Sequence, residues 1–198
     1  GIMKGPFAID KEYPNWGDDG EYDPLIKTVP STSHVSIWNL YPDPDAYNMD
    51  EAEYCVERHK LSKTQMRNLK NRPYFRAESI EACLDMGAQY DKKYWEDDMK
   101  DYAIENYTER YEVLEFWGYV DADKLEENGV EIPDDLKDLD QINCNIWVCQ
   151  GHVLRMVLNP FKPVRIPYYA VPYEHNPYSF FGVGIAENMD DTQTLMNG

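Results

Sequence analysis

The chain has 198 residues, 37 acids against 19 bases, a formal net charge of -18 and 42% hydrophobic content. Sixteen Tyr, five Trp and six Phe bring the aromatics to 14%, enough large side chains for a real core, so an intrinsically disordered chain is excluded and one or two compact domains are expected. No apolar run is long enough to span a bilayer, and no basic amphipathic stretch or lipidation motif points to a membrane surface.

The acidity is uneven along the chain. Residues 1–53 sum to -8, from three bases and eleven acids. They include a Pro/Gly/Asp-rich stretch, residues 13–30, that reads as loop, and residues 1–33 are expected to form an irregular acidic segment. Residues 34–40 are apolar and β-branched enough for a strand, closed by Tyr-Pro-Asp-Pro-Asp. Residues 53–60 read as a second strand. Ser62-Lys-Thr-Gln65 has the capping-box pattern that opens a short helix to about Lys70, because the Ser oxygen and the Gln side chain satisfy two orphan backbone donors reciprocally. Residues 54–76 are the one basic island, at +6, with seven bases against Glu57 alone.

Ile80, Cys83 and Leu84 mark the next helical face. A longer helix is expected over residues 92–106, with Tyr94, Trp95, Met99, Tyr102 and Ala103 on one side. Residues 110–120 read as a strand and residues 121–140 as an acidic helical or loop insertion. From residue 84 to 141 there are nineteen acids and six bases, a net of -13, whereas residues 142–186 return to +2. Ile142, Cys144, Ile146 and Val148 alternate with Asn143, Asn145, Trp147 and Cys149, the period of a half-buried strand. Gln150-Gly151 then turns the chain into residues 153–158, completing a hairpin. Residues 165–173 suit an edge strand, given Pro167 and Pro172. After Gly182-Val-Gly184, Ile185, Met189, Thr192 and Met196 recur at helical spacing, with Glu187, Asp190 and Asp191 in the first turns, where the helix dipole favours negative charge. The resulting fold class is α+β, mainly antiparallel sheet and hairpins with several helices packed against it.

Chemical motifs are weak. Gly182-Val-Gly184 lacks the third glycine of a dinucleotide fingerprint, and Glu187 would oppose a pyrophosphate. Asp121-Ala-Asp123 begins like a calcium loop, but Glu126 stands where the sharp turn needs glycine. Asp18, Asp19, Glu21 and Asp23 read as a solvated acidic turn. Cys149-x-x-His152 is half a zinc site with no matching second half. Cys55, Cys83, Cys144 and Cys149 follow no repeated spacing and read as buried free thiols of a reducing compartment. The four histidines, His34, His59, His152 and His175, belong to no catalytic signature, and abundant carboxylates make any single acid pair uninformative without geometry. Asn106-Tyr-Thr108 matches a glycosylation acceptor by chance if the compartment is intracellular. No catalytic residue, metal or cofactor is therefore expected.

Arg58, Lys60, Lys63, Arg67 and Lys70 form a candidate contact patch. Its expected partner is acidic protein surface rather than DNA, with the -13 region of the same chain available within or between subunits. Net acidity argues against gripping phosphates but is compatible with DNA passing nearby.

The tail carries the most specific pattern. Asn159-Pro160-Phe161, then Ile166-Pro-Tyr-Tyr-Ala-Val-Pro-Tyr-Glu174, then Tyr178-Ser-Phe-Phe-Gly-Val-Gly-Ile-Ala-Glu187, then Asp191-Thr-Gln193 and Met196-Asn197 resemble the portal proteins of tailed bacteriophages, those of short-tailed phages most closely. Upstream, Val35-Ser-Ile-Trp-Asn-Leu-Tyr-Pro-Asp-Pro-Asp-Ala46, Leu61-Ser-Lys-Thr-Gln-Met66 and the Trp117-Gly118 strand resemble the preceding part of the same family, so the likeness covers about residues 34–197. Each motif alone is a turn or packing device; their order carries the inference.

The resemblance implies a non-enzymatic head-to-tail connector. Its full-length parents form dodecameric rings with wing, stem, clip and crown regions, through which DNA is packaged and ejected. Residues 34–198 correspond to the wing, with an acidic insertion at about 84–141, ending before the stem and clip. With a first segment that opens Gly-Ile-Met-Lys, the chain reads as a piece of a longer protein. The implied partners are other portal subunits, the terminase packaging motor, and capsid and tail proteins. The implied location is the virion, with the host cytoplasm during assembly. On this reading Asn159 and Pro160 close a hairpin, Pro167 marks a strand, Gly182 and Gly184 allow a sharp turn, and Ile185, Met189 and Met196 dock the last helix on the sheet. Glu187, Gln193 and Asn197 complete the family pattern.

Two other functions fit parts of the sequence. One is an aromatic ligand or carbohydrate module built on Trp16, Trp95, Trp117, Trp147, Tyr168, Tyr169 and Tyr173. It requires those rings to form an exposed platform. The other is a carboxylate-based hydrolase, which requires two carboxyl groups in a cleft, one with a raised pKa.

Overall fold

The computed structural model describes residues 1–98, 109–161 and 163–197. Two compact units divide the chain: residues 1–37, 47–49 and 167–198 in one, residues 38–46 and 50–166 in the other. Antiparallel sheets and a few helices make the fold α+β, as the sequence implies.

The first unit begins with two long antiparallel strands, β1 (Ile2–Tyr13) and β2 (Leu25–Val35). Residues 1–33 are thus not irregular, and much of the stretch expected as loop is paired strand. Beyond Pro6 this ribbon is exposed on most of both faces, so no alternation of apolar and polar residues betrays it. Backbone pairing alone defines the strands. Pro30 is tolerated because β2 lies at the sheet edge. Gly5, at φ +116, sits at the register shift; a Cβ there would meet the Ser31 carbonyl at 2.9 Å.

Residues 34–40, expected as one strand, are broken. β2 ends at Val35, a single 3-10 turn covers Ile37–Asn39, and β3 (Leu40–Pro42) begins a second sheet. Apolar residues at 35, 37, 38 and 40 fit a strand by composition, but Ile37 and Trp38 are exposed, so the turn leaves the apolar spacing without a common face.

The second unit is built on a five-stranded antiparallel sheet in the order β3-β4-β5-β6-β7, with β4 (Tyr54–Ser62), β5 (Arg110–Asp121), β6 (Gln141–Cys149) and β7 (His152–Leu158). All four longer strands fall close to where the sequence puts them. Gln150 and Gly151 turn β6 into β7 with φ values of 49 and 81, the double positive φ that a two-residue hairpin turn needs. After Ser62, α1 (Lys63–Leu69) opens with the full capping box: the Gln65 amide donates to the Ser62 hydroxyl at 3.2 Å and the Ser62 amide to the Gln65 side chain at 2.8 Å. α2 (Ala77–Met86) follows.

Strand alternation gives this sheet two buried faces. On one, α1 and α2 close a core of Met66, Leu69, Ile80, Cys83, Tyr111, Val113, Trp147, Cys149 and Leu154. On the other, Leu125 of α4 (Ala122–Glu127) packs with Ile142 and Cys144 of β6 in a second core. Of the helix expected over residues 92–106, residues 92–94 are not helical, Tyr94 is 82% exposed and α3 covers Trp95–Asp98; Met99, Tyr102, Ala103 and the Asn106 acceptor motif lie outside the described residues. All four cysteines are free and buried, and burial pushes the Cys144 and Cys149 thiols up to about 12.

In the first unit, only Tyr168–Ala170 of the extended stretch expected over residues 165–173 forms a strand, β8, which pairs with β1 at the sheet edge, and α5 (Ile185–Asn197) is the last helix. Among the described residues no helix is long and apolar enough to cross a membrane, which says nothing about β-barrels.

Candidate functional site

Residues 57–60 of β4 project alternately to the two faces of the five-stranded sheet, and each face acquires a cluster of charged groups. On the face of α4, the guanidinium of Arg58 donates to Glu112 Oε2 at 2.8 Å, to Glu96 Oε1 at 3.3 Å and to the Asp91 carbonyl at 2.7 Å. Lys60 reaches Glu96 Oε2 at 2.9 Å. The Tyr90 hydroxyl and the Lys93 amide also donate to Glu96, while both bases lie over the Tyr90 ring. Burial pushes the Glu96 carboxyl up, but hydrogen bonds from Tyr90, Lys60 and the Lys93 amide outweigh it and hold the group down at about 2. Burial and the bond to Glu96 raise the Tyr90 hydroxyl.

The expected basic patch is therefore divided. Arg58, only 4% exposed, and Lys60 pair with the acidic region of their own chain, one of the two arrangements the charge pattern allowed. Lys63 and Arg67 are exposed on α1, and Lys70 pairs with Glu81 of α2 at 2.6 Å.

On the opposite face, β4 and β5 bring together three residues that no motif joined. Glu57 stands directly across from Glu115 in the strand register. His59 Nε2 lies 2.7 Å from Glu115 Oε2 and 3.7 Å from Glu57 Oε2. Trp117 Nε1 and Asn145 Nδ2 both donate to the other oxygen of Glu115, Oε1, at 2.8 and 3.2 Å. The His59 ring stacks on Trp147, centroids 4.8 Å apart and planes 6° from parallel, and Phe75 meets Trp147 edge-on. Arg155, in register with Trp147, exerts an attraction on Glu115; burial, the larger influence, lowers its pKa. One donor atom from each of Glu57, His59 and Glu115 lies within 4.8 Å of the others, the one grouping of this kind among the described residues.

The sequence pattern Glu57-x-His59 on a strand already puts two ligating side chains on one face. Glu115 is 56 residues further on, and only the β4–β5 register delivers it. Cys149-x-x-His152 forms no such group among the described residues: Cys149 is in the core, and the Cys83 thiol donates to its carbonyl at 3.3 Å. Asp121 is held by Lys124 at 3.0 Å and by Gln141. The loop of Asp18, Asp19, Glu21 and Asp23 is braced by the Trp16–Tyr22 bridge.

The tail residues expected to act as turns and packing devices differ in what they contact. Asn159 extends the open end of the β6–β7 hairpin, its backbone amide donating to the Asn143 carbonyl at 3.0 Å, rather than forming the turn, which Gln150 and Gly151 make; its side chain stitches the loop after β7, donating to the Val164 and Arg165 carbonyls at 2.8 and 2.9 Å and accepting from the Phe161 amide. Pro160 falls in that loop. The Pro167 carbonyl accepts from the Gly5 amide at 3.0 Å. A Cβ at Gly182 would collide with the Glu174 carbonyl and Pro172, so close approach, not positive φ, requires glycine there. Gly184 has neither positive φ nor a near neighbour, and a larger residue is expected to be tolerated. Ile185, Met189 and Met196 do not dock on the sheet: they are 52%, 56% and 82% exposed, and Leu195 is 83% exposed. Glu187 and Gln193 are exposed on the same helix, and the Asn197 side chain lies outside the described residues. Of the aromatic residues, Trp117, Trp147 and Tyr168 are buried, whereas Trp16, Tyr169 and Tyr173 are exposed. Trp95 stacks on Trp38. The rings do not share one exposed platform.

Neither the protein-family models nor the curated proteins contain a match to this chain.

Proposed function

We propose that the chain is a structural, non-enzymatic part of a bacteriophage portal, the head-to-tail connector through which DNA is packaged and ejected. The ordered motifs of the tail, from Asn159 to Asn197, motivate this reading. The observation that carries it is the apolar side of α5, where Ile185, Met189, Leu195 and Met196 are more than half exposed. Four large apolar residues presented together on one helix are a surface for assembly rather than for water. The buried pairing of Arg58 with Glu96 and Glu112 is also consistent with a protein that passes DNA without holding it, because it removes that base from phosphate contact, while Lys60 is engaged by Glu96 at the surface.

On this reading the partners are other portal subunits, the packaging motor, and capsid and tail proteins, and the site of action is the portal vertex of the virion. Expression of the complete open reading frame that encodes this chain, followed by negative-stain electron microscopy, is expected to give ring-shaped particles. Folded monomers without rings overturn the proposal.

A further inference from the structure

We propose that Glu57, His59 and Glu115 form a binding site for one divalent transition-metal ion such as Zn2+. The site is independent of the portal reading. Three features of the five-stranded sheet support it.

The first is register. Glu57 and Glu115 are directly opposed on β4 and β5, and like charges in that position destabilise a sheet. A cation between them converts the repulsion into attraction. The second is convergence. Both carboxylates approach the same imidazole nitrogen, His59 Nε2, at 2.7 and 3.7 Å, and the three donor atoms lie within 4.8 Å of one another. Ligands about 2.0–2.2 Å from a shared ion stand roughly 3–4 Å apart, so the Glu115–His59 pair has to open by about half an ångström, the Glu57–His59 distance of 3.7 Å already fits, and the carboxylates, within 4.8 Å of each other, have to close by at most about an ångström. One imidazole with two carboxylates is a donor set for Zn2+, Mn2+ or Fe2+ rather than for a soft metal.

The third is the outer shell. Trp117 Nε1 and Asn145 Nδ2 both engage Oε1 of Glu115, leaving Oε2 directed at His59. Donors that fix a ligating carboxylate in this way are a recurrent feature of metal sites. The stack of His59 on Trp147 fixes the imidazole plane in turn. His59 is the most exposed of the three side chains, at 21%, and gives the ion its path from solvent. Three protein ligands leave a further coordination position for water. Arg155 acts on Glu115 from β7 and is the competing cation; a bare His59–Glu115 hydrogen bond is the metal-free alternative.

The test uses the untagged, chelator-treated chain. Titration with Zn2+ is expected to show one saturable site per chain by calorimetry and elemental analysis, and to raise the melting temperature by about 5 °C at a hundredfold excess over Kd. His59→Gln and Glu57→Gln, checked for folding by circular dichroism, are expected to weaken binding at least about tenfold, and Trp117→Phe by about tenfold through the outer shell. Co2+ in the site is expected to show d–d bands without thiolate charge-transfer absorption. The proposal is overturned if the folded wild-type chain binds neither Zn2+ nor Mn2+ stoichiometrically, if both Gln variants bind as the wild type does, or if the Co2+ spectrum reports thiolate ligands. Glu57→Gln alone decides the matter if His59→Gln does not fold.

Discussion

Consecutive residues of β4 feed two charged clusters of opposite character on the two faces of one sheet. Arg58 and Lys60 meet Glu96 and Glu112 with two bases for two acids, each carboxylate held by cationic donors. Glu57 and His59 meet Glu115, with two carboxylates converging on one imidazole. The first cluster is satisfied by its own side chains and is built to hold residues 90–96 against the sheet. The second is shaped around a point between its members. The contrast teaches that burial of charge by itself does not mark a site. What marks one is convergence of donor atoms with the same kind of demand.

The largest effect expected on this contrast is from Arg58→Ala, which leaves Glu96 and Glu112 without their shared guanidinium. Breaking a buried pair by removing one partner costs about 3–5 kcal/mol, read by urea denaturation. A loss below about 1 kcal/mol would show that this cluster is ornamental and would collapse the comparison.

The next is a pH effect. Glu96 is held at about 2 against an ordinary 4.5, so its stabilisation is complete above the ordinary value and is lost as pH falls from there toward 2. The loss is on the order of 3 kcal/mol. Stability measured across that window is expected to fall more steeply in the wild type than in Glu96→Gln.

Smaller again is metal-free Glu115→Gln, which keeps an acceptor for Trp117 and Asn145 and loses the charge beside His59 but also its repulsion with Glu57; a net loss of about 1 kcal/mol is expected. A loss as large as that of Arg58→Ala would mean that both clusters are ordinary ion-pair networks. The smallest effect, within about 0.5 kcal/mol, is expected from Lys70→Ala, whose partner Glu81 is exposed. It sets the baseline for an ion pair of the same basic island that is not built into the sheet.

Much of the second unit is legible in the sequence. The alternation of residues 142–149, the Gln150-Gly151 turn and the Ser62–Gln65 capping box are local signals, and the structure reproduces each. The ribbon of β1 and β2 is illegible for a physical reason: with both faces largely solvated, nothing selects which side chains are apolar. The same reason hides the state of α5. Ile185, Met189 and Met196 recur at helical spacing whether or not anything covers them, so periodicity predicts the helix and misplaces its face.

The sequence by itself determines that this is a folded, acidic α+β chain with free buried thiols, and it fixes most of the strands of the larger sheet, because secondary structure of that kind is written in spacings of a few residues. It also supplies the imbalance between a basic island and a -13 region. Only the tertiary structure decides that Arg58 and Lys60 pair with that acidic region on one face of the sheet, and that Glu57 and His59 turn to the other face to meet Glu115. Pairing across a sheet is set by register over more than fifty residues of chain, and a shift of one residue would send every one of these side chains to the opposite face.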